Sequence, residues 1–198
     1  MSQNYNPLSY KTLDAGATYH RPPQRLPERV TADSPATDVM TDFIKVAAMT
    51  IGPCASLEDA NQRMIASGVR LLFVTGRDNE IMGVITATDI LGEKPMKYLQ
   101  EVGGKREDIF VRDIMTAQDK LDVLCMPDVE RASVGDIVET MKRVGRQHAL
   151  VVERTAGDRQ IVRGMFSTKQ ISKQLGITIE TTEVAQTFAE LEAALNAA

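Results

Sequence analysis

One short stretch, Gly83-Val84-Ile85-Thr86-Ala87-Thr88-Asp89-Ile90, combines residue types that can hold a charged small molecule. An apolar strand that ends at Thr86 and runs into a helix would bring a hydroxyl and free backbone N–H groups together, which suits a phosphate or another anion. The Asp89 carboxylate would be repelled by phosphate and is better used on neutral hydroxyls, such as a ribose 2′,3′-diol. Alternatively, Thr86, Thr88 and Asp89 only cap the following helix, because helix caps use the same residue types.

The elements around this stretch occur twice in the same order. Three segments of the first copy return in the second: Val39-Met40-Thr41 as Ile114-Met115-Thr116, Ser56-Leu57-Glu58-Asp59 as Ser133-Val134-Gly135-Asp136, and Gly83-Val84-Ile85-Thr86 as Gly164-Met165-Phe166-Ser167. In each copy an apolar strand precedes an N-capping Ser56 or Ser133, and an amphipathic helix then ends at Gly68 or Gly145. Two strands joined by a turn and a second helix follow, so the sequence predicts two β-α-β-β-α units.

These two units resemble the cystathionine-β-synthase (CBS) domain, a family whose members normally occur as tandem pairs of such units folded side by side. The resemblance covers residues 38 to about 176. It rests on the segments Val39-Met40-Thr41 and Ile114-Met115-Thr116, and on residues 83–90, which are similar to the family's nucleotide-contact pattern. It implies an α/β (α+β) fold of the kind found in bacterial stand-alone CBS-pair proteins. It also implies that Asp89 contacts a ribose and that Thr86 faces the phosphate. We expect Thr88, between them, to belong to the same nucleotide site.

We expect the chain to divide into four segments. They are an extended, proline-rich N-terminal arm over 1–35, a first CBS repeat over 36–104, a second CBS repeat over 105–176, and a C-terminal amphipathic helix over 177–198. In the first repeat, the second helix is expected to begin near Thr88 and to continue past Pro95 to Val102. The tail helix would present Val184, Phe188, Leu191 and Leu195 on one face, either to its own module or to a second subunit.

The resemblance also indicates where positive charge for a phosphate would come from. In similar domains these residues precede the second strand of a unit, where the chain has Arg70 in the first copy and Gln147-His148, next to Arg146, in the second. A guanidinium can clamp a phosphate, and a histidine can add charge or hydrogen bonds. The structural alternatives are a solvated Arg70 at a loop end and a His148 that only makes structural hydrogen bonds.

The second copy departs from the family's pattern. Ser167 keeps the hydroxyl, but Gln170 replaces the expected aspartate and Lys169 stands beside it. An amide can bond a hydroxyl without the charge assistance that strengthens the contact. We therefore expect one competent nucleotide site and one altered or silent site.

Composition argues against several classes of protein. The 198 residues carry 23 basic and 27 acidic side chains, a net charge of −4, so no overall attraction to nucleic acid or to an anionic membrane is expected. The chain shows neither a signal-peptide pattern nor about 18 consecutive apolar residues, and its two cysteines lack metal-site spacing, which predicts a cytoplasmic protein. With two histidines and no HExxH, GxSxG or Walker pattern, we expect neither an enzyme nor a bound catalytic cofactor.

Two functions then compete. The first is a regulatory module that senses an adenine nucleotide (AMP, ADP, ATP or an adenosyl compound) and signals to a separate effector protein through the shape of a homodimer. The second is a ligand-free dimerising scaffold whose site is degenerate. Both include a dimer, because Ile65 and Val138 are expected near the outer helix surface together with the apolar face of the tail.

Overall fold

The computed structural model describes residues 25–180, together with residues 11, 12, 14, 15, 17 and 18. The predicted tail helix with Val184, Phe188, Leu191 and Leu195 lies outside the described residues, as does most of the arm before residue 25. Within the described part, no helix is long and apolar enough to cross a bilayer.

The described residues form eight strands and seven α-helices, with short 3-10 turns between some of them. The strands are β1 (Thr41–Asp42), β2 (Thr50–Ile51), β3 (Leu71–Thr75), β4 (Ile81–Thr86), β5 (Thr116–Ala117), β6 (Val123–Cys125), β7 (His148–Arg154) and β8 (Gln160–Ser167). The helices are α1 (Leu57–Ser67), α2 (Ala87–Leu91), α3 (Lys94–Val102), α4 (Val111–Ile114), α5 (Met126–Val129), α6 (Val134–Val144) and α7 (Thr168–Leu175). The 3-10 turns are Ala36–Val39, Arg106–Asp108 and Gln118–Lys120.

The strands form two four-stranded sheets, in the orders β2-β3-β4-β5 and β1-β8-β7-β6. In each sheet a parallel pair, β2-β3 or β6-β7, adjoins an antiparallel hairpin, β3-β4 or β7-β8. The sheets face each other through Leu71, Phe73, Val84 and Leu150, while the helices cover their outer sides. This architecture confirms the predicted α+β fold built from two β-α-β-β-α units.

The first strand of each repeat lies on the sheet of the other repeat. β1 pairs with β8, with Thr41 opposite Met165, and β5 pairs with β4, with Thr116 opposite Val84. We call residues 36–42 and 109–117 the first and second leaders. Ala36, Val39 and Met40 of the first leader are buried in the core under the second repeat, and Ile109, Val111 and Ile114 of the second leader are buried in the core under the first repeat.

The glycine that opens each repeated GxxT/S segment permits this exchange. A Cβ atom at Gly83 would lie 2.3 Å from the Thr116 carbonyl oxygen, and one at Gly164 would lie 2.6 Å from the Thr41 carbonyl oxygen. Both distances are too short for a carbon atom, so only glycine lets a leader pair at this position.

The predicted ends of the first helix in each repeat are confirmed. Ser56 and Ser133 form capping boxes with Asp59 and Asp136, in which each serine accepts from the aspartate N–H and each aspartate accepts from the serine N–H. The helices α1 and α6 end at Gly68 and Gly145, whose φ angles of 65° and 75° lie in the left-handed region that glycine adopts without strain.

Two expectations are wrong. The second helix of the first repeat is not continuous, because α2 ends before Gly92, which has an extended conformation, and α3 begins at Lys94. Pro95 lies in the first turn of α3, where its missing N–H leaves no bond unmade. Val138 is 9% exposed and packs in the core, whereas Ile65 is 72% exposed on α1, as expected.

Candidate functional site

A cleft of about 160 Å³ opens between the two sheets, at the ends of the strands where β4 meets α2 and β7 begins. It brings together four residues that the sequence singled out, Thr86 and Asp89 from the first repeat and Arg146 and His148 from the second. The second leader adds Thr116, and the segment after it adds Leu121 and Asp122. Both repeats therefore build the cleft.

Asp89 both caps α2 and lines the cleft. Its Oδ2 accepts from the Thr86 N–H at 2.8 Å and from the Thr86 hydroxyl at 2.9 Å, while Thr86 Oγ1 accepts from the Asp89 N–H at 3.2 Å. Its Oδ1 lies 2.6 Å from Lys94 Nζ. Thr86 and Asp89 therefore form the N-terminal cap of α2, and Oδ1 is the carboxylate oxygen that this cap does not use.

Lys94 is a residue that sequence reasoning missed. Besides its ion pair with Asp89, its ammonium group donates to the Ile114 carbonyl and to Thr116 Oγ1, both at 3.3 Å. These bonds tie the beginning of α3 to the second leader at the edge of the cleft. In a continuous helix, residues 89 and 94 would point in different directions, so only the break between α2 and α3 allows this contact.

Arg146 and His148 supply different chemistry on the opposite wall of the cleft. The Arg146 guanidinium is 40% exposed, lies 3.3 Å from Asp122 Oδ2 and donates to the Lys120 carbonyl. Burial and the positive charge of Arg70, opposed in part by the Asp89 carboxylate, lower the pKa of His148 to about 4. At pH 7 the His148 ring is therefore neutral and offers hydrogen bonds rather than positive charge.

The other four predicted site residues lie outside the lining of the cleft. Thr88 is next to it, with Oγ1 3.3 Å from Gln147 Nε2 of the second repeat. Arg70 is exposed, and its carbonyl accepts from the Ala87 N–H at 3.0 Å. Ser167 lies opposite His148 in the β7-β8 ladder, and Lys169 is exposed on α7.

In the second repeat, the residue in the position of Asp89 has a different task. Gln170 donates to Gln174 Oε1 at 3.0 Å, and Gln174 Nε2 donates to the Pro27 carbonyl at 2.7 Å and to the Asp38 carbonyl at 3.1 Å. Gln174 is 2% exposed, so these bonds are shielded from water. The two glutamines anchor the last part of the N-terminal arm, whereas Ser167 makes no side-chain cap to α7.

The cleft thus offers a carboxylate oxygen, a hydroxyl and a neutral imidazole inside, and a guanidinium at its mouth. This set suits a ligand with neutral hydroxyls at one end and an anionic group at the other. Ligand sites usually measure about 300–1,000 Å³, so a nucleotide would extend from the cleft toward solvent or would widen it. Among residues 25–180, no three His, Cys, Asp or Glu side chains come together in a way that could hold a metal ion.

Comparisons with known proteins agree with this architecture. A model of the CBS domain family matches residues 36–95. The crystal structure of an uncharacterised conserved protein from Pyrococcus horikoshii is similar over 72% of this chain and 92% of its own, with 22% identity and a TM-score of 0.50. CBSX2 of Arabidopsis thaliana in complex with AMP is similar over 71% of this chain and 94% of its own, with 19% identity and a TM-score of 0.50. Among curated proteins, no significant match is found.

Proposed function

We propose that the chain is a regulatory module that senses an adenine nucleotide in the cleft at Asp89. The premise is that residues 36–95 match the CBS domain family and that the fold is that of a CBS-domain pair. The ligand is AMP, ADP, ATP or an adenosyl compound. The observation that carries the proposal is that both repeats contribute polar side chains to one cleft, with Asp89 on one side and Arg146 on the other. The complex of CBSX2 with AMP supports the choice of an adenine nucleotide.

Several polar groups of the cleft have a proposed partner on the nucleotide. Asp89 Oδ1 accepts from the ribose hydroxyls, because Oδ2 is already used by the helix cap. The guanidinium of Arg146 serves the phosphate end, and the Thr86 hydroxyl joins it by exchanging its bond to Asp89 Oδ2 for one to the phosphate. Thr88, which accepts a bond from Gln147, and Arg70, whose charge acts on His148, assist from outside the lining. Ser167 and Lys169 belong to the second site, which we propose is silent because Gln170 is committed to Gln174.

A scaffold that binds no ligand is the second candidate function, and one observation favours it. Both carboxylate oxygens of Asp89 have partners without any ligand, since Thr86 donates to Oδ2 and Lys94 lies 2.6 Å from Oδ1. The nucleotide must therefore share Oδ1 with Lys94 or displace it. A scaffold would retain this cap and ion pair for stability alone.

A nucleotide titration separates the two functions. We expect calorimetry to find one tight site per chain for an adenine nucleotide, because only the first repeat keeps the aspartate. Binding to the native state should also raise the melting temperature. A ligand present at 100 times its Kd raises the free energy of unfolding by about 2.7 kcal/mol. The screen compares AMP, ADP, ATP and S-adenosylmethionine with GMP as the matched control. Two equal sites per chain would contradict the silent second site, and no shift with any compound would favour the scaffold.

We also propose that the signal passes through a homodimer. Several apolar side chains on the outer helices are exposed to solvent, namely Ile65 on α1, Leu91 on α2, and Met96 and Val102 on α3. A two-fold dimer would cover such a surface with its own copy. A nucleotide that binds between the repeats would then bias the relative tilt of the two modules, provided that its affinity differs between the two shapes.

Light scattering at micromolar concentration tests this assembly. We expect twice the mass of one chain for the natural sequence and the mass of one chain for Ile65→Asp, because the carboxylate would be buried in the dimer. Ile44→Asp is the matched control, since Ile44 is equally exposed, at 71%, but lies after β1 rather than on an outer helix. A single-chain mass with and without nucleotide would refute the dimer.

A further inference from the structure

A second and larger cavity, of about 620 Å³, also lies between the two sheets. It opens at the ends of the hairpins opposite the cleft, where β3 ends and β8 begins. Corresponding positions of the two repeats face each other across it, namely Phe73 and Leu150, Thr75 and Val152, and Ile81 and Val162. The cavity therefore lies on the symmetry axis that relates one repeat to the other. The cleft at Asp89 differs, because, of the two GxxT/S segments, only that of the first repeat lines it.

The cavity differs chemically from the cleft. Among the described residues, Glu80 is the only ionisable one in its lining, and the Glu80 carboxylate already accepts from the Asp78 N–H at 2.9 Å. No lysine, arginine or histidine of the described residues lines it, so a phosphate would find no positive partner. The walls are aliphatic and aromatic, and the rings of Phe43 and Phe73 meet edge to face with centroids 5.5 Å apart. Neutral hydrogen-bonding groups, including Thr50, Gln118 and Gln160, stand among these walls.

We propose that this cavity is a binding site for an uncharged, ring-containing small molecule. Its volume lies within the usual range for small-molecule sites, and apolar walls with a few neutral polar groups suit a flat ring with one or two hydrogen-bonding edges. The absence of cations from the described lining, together with the Glu80 carboxylate, selects against phosphorylated ligands. The cavity thus suits uncharged compounds, whereas the cleft would bind an anionic nucleotide.

The two sites are separate but adjacent. Leu121 and Leu150 line both of them, so a ligand that pushes the sheets apart in the cavity also moves a wall of the cleft. The proposal itself rests on the shape and charge of the cavity and does not depend on nucleotide binding at Asp89.

Fluorescence titration with a matched pair of probes tests the proposal. N-phenyl-1-naphthylamine is uncharged, and 1-anilinonaphthalene-8-sulfonate has a similar ring system with a negative charge. We expect saturable binding of the uncharged probe at one per chain, and at least tenfold weaker binding of the sulfonate. Val162→Phe and Thr75→Phe narrow the cavity from opposite walls, and each should weaken the uncharged probe at least tenfold. Two variants are used so that a folding defect in one, detected by its melting curve, leaves the test valid.

Val144→Phe is the control for nonspecific binding, because Val144 is 48% exposed on α6 and does not line the cavity. It should bind the uncharged probe as the natural chain does, and so should Asp89→Asn, whose change lies in the cleft. Equal affinity for the two probes would overturn the proposal, as would unchanged binding in both narrowed variants. Loss of probe binding in Asp89→Asn would show instead that the cavity is the inner end of the nucleotide cleft.

Discussion

Replacing Asp89 by asparagine is expected to weaken the binding of an adenine nucleotide by more than tenfold. An asparagine oxygen can still accept from the Thr86 N–H, so the cap of α2 persists. The ribose hydroxyls, however, lose a charged acceptor, and a hydrogen bond to a charged group contributes about 1.5–3 kcal/mol, whereas a tenfold change in affinity is about 1.4 kcal/mol. Isothermal titration calorimetry on the two chains measures the difference directly.

Asp136→Asn is the matched control for this experiment. Asp136 forms the same capping box with Ser133 at the beginning of α6, and hydrogen bonds from the Ser133 backbone and side chain lower its pKa, but it does not line the cleft. Its replacement should leave nucleotide affinity unchanged. If Asp89→Asn also binds with the affinity of the natural chain, Asp89 serves only as a helix cap.

Replacing Gly83 by alanine is expected to lower the free energy of unfolding by about 1–3 kcal/mol, the usual cost of forcing an extra carbon into a packed region. The new Cβ would meet the Thr116 carbonyl oxygen at 2.3 Å and the Ala117 Cα at 3.2 Å, and both are backbone atoms that cannot turn aside. The second leader must therefore move away from β4. Urea unfolding followed by circular dichroism measures the loss.

Gly52→Ala is the control, because nothing lies within 4 Å of the Cβ that it would add and the backbone there does not have a positive φ. It should leave the free energy of unfolding unchanged or raise it by up to about 1 kcal/mol, because alanine restricts the unfolded chain. Nucleotide affinity should also fall in Gly83→Ala, since Thr116 lines the cleft. A Gly83→Ala chain as stable as Gly52→Ala would mean that the pairing of β4 with β5 contributes nothing.

Local signals account for the parts of the fold that the sequence predicts well. The capping serines and the glycines that end α1 and α6 each depend on residues within one helical turn of one another. The repeat is visible because short segments return in the same order along the chain. The exchange of leaders has no local signal, since β1 and β5 contain two residues each and their partners are distant in the chain. A strand of two residues shows no alternation from which its partner could be deduced.

Of the candidate residues to which the repeated GxxT/S segment and the resemblance to CBS domains together pointed, half line the cleft, whereas Arg70, Thr88, Ser167 and Lys169 lie outside its lining. Thr86, Asp89, Arg146 and His148 meet in the cleft as one group. Lys94 was missed because it faces Asp89 only after the helix breaks at Gly92. The role of Gln170 was predicted as a loss of charge. Its partner Gln174 also donates to the Pro27 and Asp38 carbonyls, 147 and 136 residues earlier in the chain, and no local pattern reveals these contacts.

The exchanged leaders imply that neither repeat is a self-sufficient folding unit. A polypeptide cut between the repeats would leave β4 or β8 without its edge partner, and would expose the apolar pocket that the missing leader fills. In two copies of one such fragment, the leader of each copy could pair with the sheet of the other, as in a domain-swapped dimer. The intact chain can thus be understood as a swapped dimer whose two halves are joined covalently. The sheet that contains β8 closes only after Thr41 has met Met165, more than 100 positions later in the chain, which places its completion late in folding.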